Sequence, residues 1–338
     1  MLPMVNMLLF DALTLQMARV PVHVIQNWIY GPTGLGELRG PSRESSPSEQ
    51  AHDPQLARRL WEVSVAMTGI DPGLPSRRMK LHLNNDTLIK RREIMKTTTH
   101  GDHLIQLTRF SAINCYLVRE DDGFTLIDTN IPGSADAILT AVRTYNTPIR
   151  RIVLTHDHGD HVGSLDALHE ALPNAEVAIT AREARFLAGD LSLDADEPQA
   201  KLSSMGVPTC KTRPTRLLTQ GDRIGSLEVI SSPGHSPGHI AFLDLRDHTL
   251  IAGDAFQTLG GVAVAGTFKP LFPLVALTTW HKPTALQSAH ALLATRPARL
   301  ATGHGQVLTE PLAEMERAIA VLTQELKKQE QHVSQSRT

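Results

Sequence analysis

The sequence predicts an α/β protein with two β-sheets and helices on their outer faces. Two observations lead there. Short apolar strands bounded by polar turns alternate with amphipathic helices in the order β-rich, αβα, β-rich, αβα. Strand candidates also cluster on both sides of the helical segments, which one sheet would not require.

Taken in order, the 338-residue chain begins with an apolar stretch, Met1 to Phe10. No Lys or Arg precedes it, Asp11 interrupts it and no A-x-A site follows, so a secretory signal is not expected. Asp11, Gln16 and Arg19 also break any run of the about 20 apolar residues a membrane span needs. The expected location is cytoplasmic. Residues 31–54 are rich in Gly, Pro, Ser and Glu and read as a linker; their glycines do not form GxGxxG. Leu56, Leu60 and Val63 suit a short helix over 56–67. Residues 1–94 therefore read as an N-terminal extension, and residues 95–330 as one domain.

Within that domain His103 to Leu107, Asn114 to Val118 and Thr125 to Asp128 are strand candidates, divided by turns such as Asp121-Asp122-Gly123. Ile138, Leu139 and Val142 predict a helix from Ala135 to Tyr145. Arg151 to Leu154 is the next strand. A helix over Val162 to Leu172, a strand over Glu176 to Thr180 and a helix over Arg182 to Leu187 follow. Residues 189–214 read as a loop or lid. Strands are then predicted at 216–218, 227–231, 239–245 and 249–252, a helix from Ala285 to Ala294, and a strand from Arg299 to Thr302. The last helix is expected to be capped by Thr309 with Pro311 in its first turn. Its stripe of Leu312, Met315, Ile319, Leu322 and Leu326 is most simply core packing, with a homodimer seam as the alternative use.

Composition narrows the function. A formal net charge of −2 leaves no electrostatic footprint for nucleic acid, and 4% aromatic residues leave little for base stacking. The 41% hydrophobic and 20% charged fractions fit a soluble globular protein. Cys115 and Cys210 form no CxxC pair, so no disulfide framework is indicated.

The chemistry sits in His156-Asp157-His158-Gly159-Asp160-His161, directly after Ile152-Val153-Leu154. Imidazoles and carboxylates at this density are the ligands of divalent cations, Zn²⁺ above all. Three more such residues stand where strands end: His235 in Pro233-Gly234-His235, Asp254 in Gly253-Asp254, and His304 in Gly303-His304-Gly305. The glycines beside them permit sharp turns and close approach.

Together these residues resemble the metallo-β-lactamase superfamily: an H-x-H-x-D-H motif followed by His, Asp and His over roughly residues 100–320. The resemblance implies an αββα sandwich with a dinuclear metal site at one edge. Carried over residue by residue, His156, His158 and His235 would hold one metal and Asp160, His161 and His304 the other, with Asp254 bridging. Zn²⁺ is the expected metal, and the N and O donors also suit Fe or Mn. A carboxylate at Asp254 is typical of the lactonase and glyoxalase II branches rather than of true β-lactamases. Two such cations share a water and lower its pKa to about 7, so hydroxide attack on an ester, lactone or thioester carbonyl is the expected reaction, with Asp160 steering the proton. No Cys/His nucleophile pair is apparent.

Some details depart from the named branches. Related acyl-homoserine lactonases place a Tyr three residues after the bridging Asp, where this chain has Gln257 after Phe256. Glyoxalase II proteins carry a helical C-terminal domain, whereas here one helix ends near Lys327 and Lys328. The alternatives are a β-lactam hydrolase, a phosphodiesterase or a non-catalytic metal-binding protein; retention of all seven donors weighs against the last. The apolar stretch Leu259 to Leu277 is expected either to border the pocket or to pack as a long loop. His239 reads as an ordinary polar residue opening a strand, with a hydrogen-bonding role behind the metal ligands as the alternative; Asp157 reads as facing away from the metals, where it could orient an imidazole, and His281 as a surface histidine or one bordering the pocket.

Overall fold

The computed structural model describes residues 95–202 and 208–335, with side-chain detail to residue 332. The readings made for residues 1–94 lie outside the described residues.

A seven-stranded sheet runs in chain order from β1 (Lys96–His100) through β2 (Leu104–Arg109), β3 (Ile113–Glu120), β4 (Gly123–Ile127), β5 (Ile149–Val153) and β6 (Glu176–Thr180) to β7 (Arg216–Leu218). The hairpin-linked strands β1 to β4 pair antiparallel; β4 to β7 pair parallel. The parallel strands are separated by α1 (Ala135–Arg143), the short α2 (Gly159–Val162), α3 (Leu165–Ala171) and α4 (Ala181–Leu187).

The second sheet contains β8 (Arg223–Ile224), β9 (Leu227–Ser231), β10 (Ile240–Asp244), β11 (Thr249–Ile251), β14 (Arg299–Ala301) and β15 (Leu308–Thr309), in the order β15-β14-β11-β10-β9-β8. Between β11 and β14 lie the hairpin β12 (Phe256–Gln257) and β13 (Ala263–Val264), then α5 (Leu274–Thr278) and α6 (Lys282–Ala294). Helix α7 (Leu312–Gln335) closes the described chain.

Strand alternation explains how these pieces stack. On β3, Cys115 and Leu117 face one apolar cluster with Ile138, Val142, Leu168 and Leu187 from the helices. Tyr116 and Val118 face the opposite way, into a cluster shared with Val229, Phe242 and Ile251 of the second sheet. On β10, Ile240 and Phe242 enter that inter-sheet cluster, while Ala241 and Leu243 face Ala289, Leu292, Met315 and Leu322 of α6 and α7. Helix, sheet, sheet and helix thus form four layers with three apolar seams, the αββα arrangement expected from the sequence. Truncating a fully buried ring in the central seam, such as Phe242, would cost about 3–5 kcal/mol.

The apolar stripe on α7 is core: Met315, Ile319 and Leu322 are buried against the second sheet. Two boundaries differ from expectation. Thr309 does not cap α7, because it pairs with Arg299 in β15 and the helix starts after Pro311. The helix expected over 162–172 breaks at Gly163–Ser164. There Ser164 Oγ donates to the Ile131 carbonyl and accepts from Ser134 N–H, tying the break to the loop before α1.

One edge of the sandwich is stitched between the sheets. Asn114 N–H donates to the Gly303 carbonyl at 2.9 Å, Asn114 Nδ2 to the Thr302 carbonyl at 2.9 Å and Tyr116 O–H to the same carbonyl at 2.6 Å. The strand ends at that edge carry the histidines and aspartates singled out above.

Candidate metal centre

All seven sequence-predicted donors converge at this edge, and all are buried. The turn after β5 delivers His156 and His158, and its continuation as α2 places Asp160 and His161 on one helical turn. His235 follows β9, Asp254 follows β11 and His304 follows β14. The donor atoms form three overlapping groups: His156 with His158 and His235; His156 with His161 and Asp254; and Asp160 with His161 and His304.

In the first group Nδ1 of His158 lies 3.1 Å from Nε2 of His156 and 2.9 Å from Nε2 of His235. In the third, Nε2 of His304 lies 3.2 Å from Asp160 Oδ2. Asp254 stands between them: its Oδ2 is 3.1 Å from His304 Nε2 and 3.5 Å from His235 Nε2, and its Oδ1 is 3.4 Å from His161 Nε2. This is where a bridging carboxylate would have to be.

Four of the five rings are oriented from behind. Asp128 Oδ2 binds His161 Nδ1 at 2.7 Å, while the same carboxylate accepts from the Thr155 N–H and hydroxyl. Thr155 Oγ1 also meets His156 Nδ1 at 3.0 Å. Thr279 Oγ1 meets His235 Nδ1 at 3.1 Å, and the Ala112 carbonyl lies 3.2 Å from His304 Nδ1. Such outer partners fix the ring tautomer and aim the remaining nitrogen inward. Gly303 leaves the space this needs, since a Cβ there would sit 2.2 Å from Asp254 Oδ1 and 2.6 Å from His161 Cε1.

The electrostatics divide the site. Burial, reinforced by neighbouring imidazoles, holds His156 and His235 well below the usual histidine range. Burial likewise brings His158 down to about 4, although Asp160 and Asp254 pull the other way. Burial opposes charge on His161 and His304 too, but there carboxylates outweigh it. Asp254, Asp128 and Asp160 raise His161 well above its ordinary value, and Asp254 with Asp160 raises His304 to about 9. Burial would raise Asp160, yet His161 and His304 hold it at about 2.

Two buried polar atoms at the centre, His161 Nε2 and Asp254 Oδ1, lie 3.4 Å apart as an ion pair yet make no hydrogen bond. Buried polar groups left without hydrogen bonds are costly, and a cation held by both would satisfy them. The donor set therefore fits divalent metal.

Three residues were not recognised, or were misread, in the sequence. Asp128 read only as the end of a strand; its φ of +61° turns the carboxylate toward the neighbouring β5 loop. For His239 the less favoured of its two readings holds: it is buried, Ser232 Oγ lies 2.9 Å from its Nδ1, and its Nε2 accepts the Asp254 N–H at 3.2 Å. Glu183 read as an ordinary helical residue, but its buried carboxylate accepts from Asp157 N–H, Ser236 O–H and Gly238 N–H, locking two donor loops together. Asp157 faces Glu183, and burial and mutual repulsion raise its carboxyl. His281 precedes α6, its Nδ1 2.7 Å from Thr284 Oγ1.

The stretch Leu259 to Leu277 is mainly packing. Val264, Ala265, Phe272 and Val275 join the second sheet's core, and the Phe272 ring lies 4.3 Å from that of His304. Gln257 is buried on β12 with neither amide atom hydrogen-bonded. Among the described residues, no helix is long and apolar enough to cross a membrane.

Comparison with known proteins agrees with this geometry. Residues 108–304 match the model of the metallo-beta-lactamase superfamily. The chain is 50% identical over 218 residues to the uncharacterized protein YobT of Bacillus subtilis (strain 168), covering 63% of this chain and 93% of that protein. It is 29% identical over 161 residues to a hydroxyacylglutathione hydrolase of Stenotrophomonas maltophilia (strain R551-3), covering 46% of this chain and 51% of that one. A solved metallo-beta-lactamase from Pontibacter korlensis shares the fold, with a TM-score of 0.52 at 16% identity over 68% of this chain and 99% of that chain. More than half of this sequence thus carries one family's signature on that family's architecture: the chain belongs to the metallo-beta-lactamase superfamily.

Proposed function

We propose that the protein is a hydrolase dependent on two divalent cations, most simply Zn²⁺, acting on a carboxylic ester, lactone or thioester. The observation that carries this reading is the convergence of seven buried donors in three overlapping groups, with His161 Nε2 and Asp254 Oδ1 3.4 Å apart at their meeting point. His156, His158 and His235 would hold one cation, Asp160, His161 and His304 the other, and Asp254 both. The chemistry a bound cation pair supplies is an acidified water and a polarised carbonyl.

The chain's own residues do the rest. Asp128, Thr155 and Thr279 aim the imidazoles, and His239 fixes the backbone from which Asp254 projects. Asp160 is the residue that moves the proton. Overall, the acyl–oxygen or acyl–sulfur bond breaks, the oxygen of water joins the carbonyl carbon, and the proton leaves with the alcohol or thiol. The likeness to a hydroxyacylglutathione hydrolase supports a thioester or ester over a β-lactam, as does the carboxylate at Asp254. The protein is expected to act in the cytoplasm on a small molecule, without nucleic acid or membrane.

The test is elemental analysis of the purified chain together with a panel of lactone, thioester, aryl ester, phosphodiester and cephalosporin substrates before and after chelation. Two metal equivalents and chelator-sensitive turnover of an ester-type substrate are expected. A sample that neither contains nor takes up metal would overturn the reading, and dominant cephalosporin turnover would overturn the substrate class.

A further inference from the structure

We propose that Glu183, which lies outside the donor set, is a positioning residue for one of the two cations. By bonding the loops on either side of that site it sets whether His156, His158 and His235 can close on a single ion. The proposal rests on the metal-centre reading above.

These three donors reach one another only through tertiary folding. His156 and His158 follow β5 of the first sheet, whereas His235 follows β9 of the second. His158 and His235 are 77 residues apart in sequence, yet their facing ring nitrogens lie 2.9 Å apart. A tetrahedral Zn²⁺ holds nitrogen donors at about 2.0–2.1 Å, and hence about 3.3 Å from one another. Ligand distances tolerate errors of only about 0.2 Å, so the two loops must keep their spacing closely.

Glu183 offers one carboxylate oxygen to each loop. Its Oε2 accepts the N–H of Asp157, the residue between His156 and His158, at 3.0 Å. Its Oε1 accepts the O–H of Ser236, the residue after His235, and the N–H of Gly238, both at 2.7 Å. Hydrogen bonds to an ionised acceptor are about twice as strong as neutral ones, and this carboxylate is fully buried. The local sequence, Thr180-Ala181-Arg182-Glu183, has the T-x-x-E form of a capping box, in which the glutamate turns back to the helix start. Thr180 does cap α4, its Oγ1 accepting the Glu183 N–H at 3.2 Å, but the carboxylate is diverted to the donor loops. Thr180 Oγ1 also donates to the Gly238 carbonyl at 2.9 Å, anchoring the first turn of α4 to the same loop. Two further ties act elsewhere. Ile240 N–H meets the Thr155 carbonyl at 3.0 Å at the base of the loops, and Trp280 N–H holds the His235 carbonyl at 2.9 Å from the α5–α6 side. Among the described residues no hydrogen bond joins Glu183 to the turns carrying Asp254 and His304, so its effect should fall on the His156–His158–His235 site.

The test titrates the chelator-stripped full chain with Co²⁺ against a chromophoric chelator, in two backgrounds. His304→Ala leaves the His156–His158–His235 site intact, and His235→Ala leaves the Asp160–His161–His304 site intact. Glu183→Gln keeps the volume but replaces one acceptor oxygen with an NH₂ donor. It should weaken Co²⁺ binding by about 10–100-fold in the His304→Ala background and by less than about twofold in the His235→Ala background. Equal losses in both backgrounds would mean that Glu183 only supports the fold, and no loss in either that other bonds set the spacing; each result overturns the proposal. A wild-type chain that takes up no cation overturns the metal-centre reading itself, which separates that failure from the other two. Ser236→Ala removes one of the three bonds and serves where Glu183→Gln does not fold. It should weaken the His304→Ala site by about threefold to tenfold, and an unchanged affinity there would also overturn the proposal.

Discussion

The two halves of the candidate metal centre differ more in charge than in shape. His156, His158 and His235 are imidazoles kept neutral by burial, with His158 at about 4. Beside them, His161 and His304 are held in their charged form by Asp128, Asp160 and Asp254, with His304 at about 9. The first half presents free lone pairs at neutral pH. The second presents an internal ion-pair network whose protons a cation must displace. The same fold edge thus builds one site that is ready and one that is latched, and the carboxylates that latch the second also make it the more anionic once its protons leave.

The largest effect should come from breaking the ready half. His158→Ala is expected to abolish ester turnover and remove one metal equivalent, with the circular dichroism spectrum unchanged. Wild-type turnover in that variant would end the comparison. The latched half should reveal itself through pH. Metal binding there should weaken by about tenfold per pH unit, for each proton displaced, as pH falls below about 9. Binding to the ready half should stay level above about pH 5. Competition with a chromophoric chelator from pH 6 to 9 reads both; two parallel, level curves would refute the distinction. The linked stability has a definite sign. Because His304 is raised in the folded protein, its contribution to metal-free stability is complete below about 6.5 and is lost as pH rises through about 9. The melting temperature of chelated protein should fall across that window.

Smaller effects should separate a charged orienting partner from a neutral one. Asp128→Asn removes the carboxylate behind His161 and should weaken the latched half by about 10–100-fold. Thr279→Val removes a hydroxyl behind His235 and should cost the ready half about tenfold at most. Equal losses in the two variants would mean that hydrogen bonding alone, not charge, sets the difference.

The seven residues that converge at this edge could be singled out in the sequence because each follows a strand and most have glycine beside them. What lies behind the rings was not readable. Asp128 is separated by 33 residues from the His161 it orients, and only the parallel pairing of β4 with β5 brings them together. Thr279 and His235 meet through tertiary folding in the same way. The four-layer fold followed from alternating strands and the α7 stripe. Edge strand β1 did not, since Lys96-Thr97-Thr98-Thr99-His100 is half exposed and lacks apolar alternation. Strand β13 lay hidden in the apolar stretch Leu259 to Leu277, and its two-residue partner β12 just before that stretch is too short to show a period.

The stitching of β3 to the Thr302–Gly305 turn carries one more consequence. Because Asn114 and Tyr116 set the position of His304 with ordinary protein hydrogen bonds, the polypeptide is the landlord of this centre and the ion its tenant. Exchange of a bound divalent ion for cobalt should proceed without refolding, giving a coloured protein whose visible spectrum reports the donor groups as they fill.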